Sequence, residues 1–171
     1  MTDDGNPDDA TLVMALDPGQ TDAWRALVEL DEDFRVRPHA DDDCVWPERP
    51  GQLPYPDYSS RVRAAWRLLE EVGAVTPSYH WTQQQPPALD SEGKVSAADA
   101  VRLATTIIRS ERFGDGNIGA AVNTGVLQAV IAALATWCRE AGVSGRSLAP
   151  PRRDPLSGKQ LGEGKGRMSR V

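Results

Sequence analysis

Apolar side chains recur at the spacing of one helix face through the middle of the chain, and this pattern constrains the fold most. The clearest stripe lies in residues 59–73 and a second in residues 125–142; their members are Val62, Ala65, Trp66, Leu69 and Val72, then Leu127, Val130, Ile131, Leu134, Trp137, Cys138 and Ala141. No pair of segments shows the alternation of half-buried strands. The sequence therefore predicts an all-α fold, a compact bundle of about four to six helices with irregular proline-rich connections and flexible tails.

Capping residues predict where the first helices begin and end. Thr21 is placed to cap a helix that ends near Asp33. Ser59 or Ser60 begins the next helix, and Gly73 stands where a left-handed residue commonly ends one. These signals predict helices over residues 21–33 and 60–72.

The C-terminal half contains three more predicted helices. Ser96 and Asp99 form a variant of the capping box, and that helix runs to about Phe113. A short helix over residues 117–123 follows, and the last one ends at Gly142. We expect the helices over 60–72 and 125–141 to pack on each other at the centre of the core, where Trp66 and Trp137 would be buried.

Charge divides the chain into parts. Residues 1–60 carry 15 acidic and 4 basic side chains, whereas residues 143–171 carry 7 basic and 2 acidic ones together with five glycines and three prolines. We predict an acidic N-terminal lead-in over 1–20, a helical domain over 21–142, and a disordered basic tail over 143–171 that is dispensable for folding.

Two stretches carry a family resemblance. Residues 53–81 (LPYPDYSSRVRAAWRLLEEVGAVTPSYHW) place a proline-tyrosine turn before a helix and an aromatic segment. Residues 107–134 (IIRSERFGDGNIGAAVNTGVLQAVIAAL) contain Arg-x-x-Arg-Phe-x-x-Gly before a long helix. This pair resembles the uncharacterised bacterial and phage proteins of domain-of-unknown-function family 6508. The resemblance implies a compact, mostly helical domain and no particular activity.

The densest polar cluster of the predicted domain is the helix junction near residue 113, which comprises Arg109, Glu111, Arg112, Asp115 and Asn117. One interpretation is a pocket whose guanidinium groups bind a carboxylate or phosphate. The other, which we favour, is structural: Arg112 and Asp115 stabilise two helix ends while Phe113 fills the core.

A second candidate surface is aromatic and lies near the proline-rich turns. It comprises Tyr55, Tyr58, His80 and Trp81. No nucleophile elbow links a histidine to a serine or cysteine, so we assign no catalytic or cofactor-binding residue.

One loop contains residues that are common metal ligands, namely His39, Asp41, Asp42, Asp43 and Cys44. A structural zinc site needs a second Cys/His pair at suitable spacing, and none is present nearby. We therefore predict a solvated acidic loop without a metal.

These features favour a small helical interaction or accessory protein that needs no cofactor and acts by binding another macromolecule, with a protein as one candidate partner. One rival is an enzyme of unrecognised chemistry at the Arg109–Asn117 junction, and another is a weak nucleic-acid binder that uses the basic tail. The two distant cysteines and the lack of a signal peptide or apolar span predict a cytoplasmic protein. The oligomeric state stays open.

Overall fold

The computed structural model describes residues 5–38, 41–48, 50–51, 55–113 and 116–143. These residues form six α-helices, one two-stranded ribbon and a short 3₁₀ turn. The elements in chain order are α1 (Asp9–Met14), α2 (Thr21–Val36), β1 (Cys44–Val45), β2 (Asp57–Tyr58), α3 (Ser60–Glu71), the 3₁₀ turn (Trp81–Gln83), α4 (Ala97–Glu111), α5 (Asn117–Asn123) and α6 (Val126–Glu140). The predicted all-α class is confirmed.

Local capping signals set several helix ends as predicted. The Ser59 side chain accepts a hydrogen bond from the Val62 amide at 3.3 Å at the start of α3. At α4, the Asp99 amide donates to Ser96 Oγ at 3.0 Å, and Ser96 Oγ donates to the Asp99 carboxylate at 2.9 Å. Gly73, just beyond α3, has a φ of +80°, as a left-handed helix end requires.

Helix α2 continues to Val36, three residues beyond the predicted end. Phe34 extends the buried face of this helix and is 3% exposed. Arg35 also forms an ion pair with Asp31 at 2.7 Å, one helical turn before it. Both interactions favour another turn of helix, and the helix then ends shortly before Pro38.

The predicted centre of the core is wrong. Helix α6 packs mainly on α4 and α2, whereas α3 packs on α2. Trp24 of α2 is fully buried, while Trp66 and Trp137 are only partly buried against the core. The Trp24 and Trp137 rings lie 5.1 Å apart between centroids. An apolar stripe shows which face of a helix is buried, but it does not show which helix covers that face.

The N-terminal lead-in contributes to the core, so it is not simply a solvated segment. Helix α1 packs on α4, and Leu12 and Leu16 are 0% and 3% exposed. The backbone after α1 also approaches the end of α3, because a Cβ atom on Gly73 would lie 2.3 Å from the Ala15 carbonyl oxygen. The basic tail beyond Val143 lies outside the described residues.

The β ribbon was not expected from the sequence. Strands β1 and β2 are antiparallel, with Cys44 opposite Tyr58 and Val45 opposite Asp57. Two-residue strands are too short to display a period-two pattern. Within the part of the chain that is described, no single helix has the length and apolarity to cross a membrane; α5 and α6 reach these limits only as a pair, and they meet at 79°.

Candidate functional site

Glu111 is the last residue of α4 and lies buried at the junction with α5, only 4% exposed. Its carboxylate accepts hydrogen bonds from the Tyr58 hydroxyl at 2.6 Å, the Gly116 amide at 3.1 Å and the Ile118 amide at 2.9 Å. A buried carboxylate is stable only when such donors replace its lost hydration. Glu111 therefore links the end of α4, the start of α5 and strand β2.

The start of α5 depends on Glu111 because its own cap residue has no side chain. Gly116 occupies the cap position with a φ of +94°, a backbone conformation that favours glycine. The first amides of a helix have no partner within that helix. The carboxylate of Glu111 supplies this partner from the preceding helix.

The ribbon closes the other side of this cluster. A Cβ atom on Gly119 of α5 would lie 2.3 Å from Cys44 Sγ, so only glycine fits against β1 there. Burial, followed by the Glu111 charge, raises the pKa of the Cys44 thiol. Burial and the hydrogen-bonded Glu111 carboxylate raise the pKa of Tyr58 far above its usual value. Both groups therefore stay protonated, and a protonated thiol is a poor nucleophile.

The predicted junction residues differ in how far their side chains are buried. Glu111 is buried, Arg109 and Asn117 are partly buried, and Arg112 is exposed; Asp115 and its predicted role as a cap lie outside the described residues. The expectation that Phe113 fills the core is wrong, since this side chain is 83% exposed. Helix α4 ends at Glu111, and the chain beyond it turns Phe113 away from the core.

Aromatic side chains surround the outside of the same junction. The Phe113 and Trp81 rings lie 6.2 Å apart between centroids. Trp46 is 50% exposed and lies against Gly116, where an added Cβ atom would be 2.5 Å from Trp46 Cζ2. Gly116 follows Phe113 by three residues, so their Cα atoms are at most about 11 Å apart. We call Trp46, Trp81, Arg109, Arg112 and Phe113 the junction surface.

The four residues predicted as one aromatic surface occupy different places. Tyr58 is buried against Glu111, whereas Tyr55 is 41% exposed and contacts the Tyr58 ring edge to face at 6.4 Å. Trp81 belongs to the junction surface. His80 is exposed, and its backbone amide donates to Asn6 Oδ1 at 2.7 Å. Only Tyr58 and Trp81 therefore meet the polar junction.

The acidic loop is only partly solvated, which corrects the prediction for Asp43. Asp41 and Asp42 are exposed, but Asp43 is 1% exposed. Arg61 donates from Nε to Asp43 Oδ1 at 2.7 Å and from Nη1 to the Arg37 carbonyl at 2.8 Å. The sequence showed three consecutive aspartates and gave no local sign that the third faces a guanidinium 18 residues away.

The described residues contain no group of three or more His, Cys, Asp and Glu side chains placed to hold a metal ion, and His39 lies outside them. Sequence reasoning also missed Trp46, which lies against Gly116, and Arg61, which pairs with Asp43. For Trp46, the local sequence sign was the Cys-Val-Trp run over residues 44–46, which places three apolar side chains directly after the aspartates.

A profile of the family of unknown function DUF6508 matches residues 20–140. The chain belongs to this family. No curated protein and no solved structure matches the chain. The DUF6508 match confirms the resemblance carried by the two sequence runs. It includes the ribbon, Glu111 and α5, whereas α1 lies before it.

Proposed function

We propose that this DUF6508 protein acts by binding another protein through the junction surface. The observation that carries the proposal is the 83% exposure of Phe113 beside Trp81, together with the half-exposed Trp46 against Gly116 at the same junction. Large aromatic side chains bury best in a core, so a group of them at one exposed junction is typical of a binding surface.

The arginines of the junction surface add a preference for acidic partners. Among the described residues, neither Arg109 nor Arg112 has a carboxylate within 4.0 Å. Arginine is enriched with tryptophan and tyrosine among the residues that contribute most to protein interfaces. A partner that presents an apolar side chain next to Asp or Glu would match both features.

The interior of the junction supports binding rather than catalysis. The Tyr58 hydroxyl donates a hydrogen bond to Glu111, and Glu111 also accepts hydrogen bonds from two backbone amides. A general acid or base has to reach a substrate proton, and these groups face inward. The enzyme alternative would need reactive groups that face solvent at this position.

Binding can be tested with the full chain immobilised in cell extract and with variants of exposed apolar residues. We expect Phe113→Ala to lose a protein that the wild type retains, whereas Val36→Ala should keep it. Val36 is a matched control because it is 79% exposed but lies at the end of α2. Titration with the purified partner should show Phe113→Ala weaker by at least about 2 kcal/mol.

Melting temperature, measured in parallel, separates lost binding from lost folding. Equal retention of every protein by wild type, Phe113→Ala and Arg112→Ala would contradict the proposal. The nucleic-acid alternative rests on the basic tail, which lies outside the described residues, and it stays a prediction. Binding of that kind should be lost in a chain that ends at Val143 and should weaken steeply with salt.

A further inference from the structure

An apolar groove of about 660 Å³ lies on a different part of the molecule, between α1, the start of α2 and the end of α6. Met14 is 81% exposed at its edge, and Trp137 is only partly buried. The apolar residues that line it are Val13, Met14, Leu16, Trp137, Ala141 and Val143. Concave apolar surface of this kind is a typical binding site for another segment or molecule.

We propose that this groove binds the chain's own apolar segment Leu148–Pro151. Val143 lines the groove and is the last described residue, and the sequence continues for 28 residues beyond it. Leu148 follows Val143 by five residues, a distance of at most about 17 Å in an extended chain. The segment is therefore tethered within reach of the groove, so its local concentration there is high.

The chemistry of the segment fits an apolar site. Leu148, Ala149, Pro150 and Pro151 form the only run of four apolar residues after Val143. A buried backbone amide without a partner is costly, and proline has no N–H group. Pro150 and Pro151 can therefore lie on an apolar surface without unsatisfied backbone donors.

Opposite charges beside the groove and beside the segment favour binding of the segment in the groove. Asp17 lies between two groove-lining residues, Leu16 and Pro18, and is exposed. The segment is flanked by Arg146 on one side and by Arg152 and Arg153 on the other. Basic flanks beside the exposed Asp17 carboxylate add a salt-dependent attraction to the apolar contact.

Oxidation of Met14 tests the proposal in the full chain. Under dilute peroxide, with the Met14 peptide followed by mass spectrometry, the wild type should oxidise more slowly than Leu148→Asp. The expected difference is about threefold or more, because only the open state is attacked. Leu156→Asp is the matched control, since it places the same charge in the tail outside the segment, and it should oxidise like the wild type.

Equal Met14 oxidation in the wild type and Leu148→Asp would overturn the proposal. Protection that grows with protein concentration would also overturn it, because the groove would then be covered by a second copy of the chain. Slower oxidation in the wild type at every concentration, lost only in Leu148→Asp, is the result that supports docking of the chain's own segment.

Discussion

Glu111 and Asp43 are both buried carboxylates at the β ribbon, but their partners differ in charge. Asp43 faces the Arg61 guanidinium and also accepts from Ser59 Oγ at 2.7 Å. Glu111 accepts from the Tyr58 hydroxyl and from backbone amides, and these donors are neutral. Among the described residues, the Asp43 carboxylate is compensated by the positive charge of Arg61, whereas the Glu111 carboxylate depends on several neutral dipoles. Loss of a single partner should therefore matter more at Asp43.

The largest expected effect is at the charged cluster. Arg61→Ala leaves Asp43 buried without its guanidinium, and breaking a buried pair in this way typically costs about 3–5 kcal/mol of unfolding free energy. Chemical denaturation measures the loss. Arg67→Ala is the control on the same helix, because Arg67 is 69% exposed in its pair with Glu71; such pairs contribute about 0–1 kcal/mol. Similar losses in both variants would break the comparison.

A smaller loss is expected at the neutral cluster. Glu111→Gln keeps the shape of the side chain but replaces one acceptor oxygen by a donor, which then faces the Tyr58 hydroxyl or the amides of α5. Leaving a buried group unsatisfied costs about 1–3 kcal/mol. Glu140→Gln, at an exposed site on α6, should change the unfolding free energy little. If Glu111→Gln destabilised the protein more than Arg61→Ala, neutral donors would be the stronger form of compensation here.

The smallest effect depends on pH. At neutral pH, Tyr58→Phe removes one hydrogen bond and should cost about 0.5–1.5 kcal/mol. Burial and the Glu111 carboxylate raise the pKa of Tyr58, so the folded state keeps this proton above pH ~10, where an unfolded tyrosine loses it. The resulting stability is present below pH ~10 and falls as the pH rises toward the folded pKa.

Unfolding free energies measured from neutral pH to above pH ~10 distinguish the wild type from Tyr58→Phe. The wild type should lose more stability over this range than Tyr58→Phe, which has no proton to lose at this position. Tyr79, whose pKa burial also raises, is present in both proteins and cancels in the difference. Parallel curves would show that Tyr58 ionises equally in the folded and unfolded states.

The sequence was sufficient for features that a few neighbouring residues determine. Ser59, Ser96 and Gly73 act on amides and carbonyls within one helical turn, so α3 and the start of α4 could be read directly. The short helix α5 was also predicted with its bounds, because glycines interrupt the apolar pattern on both sides of it. Local capping and backbone freedom need no knowledge of the tertiary fold.

Pairings across the chain could not be obtained in the same way. The hydroxyl of Tyr58 meets a carboxylate 53 residues away, and no periodicity in either segment records this contact. The stripes on α3 and α6 likewise left open which helices meet, and Trp24 proved more buried than either tryptophan expected at the centre. Such choices depend on the shapes of all faces together, a property of packing rather than of any one segment.

Helix α1 lies outside the matched region of the family, yet Leu12 within it is fully buried against the domain. A fragment that begins at residue 20 would expose the apolar surface that Leu12 and Leu16 cover. Burial of each leucine side chain contributes about 1.5–3 kcal/mol to the free energy of unfolding. The region matched by sequence similarity is thus shorter than the folded unit that buries the apolar core. Any relative with this fold whose chain starts at the equivalent position would have to cover the same apolar surface with a different segment.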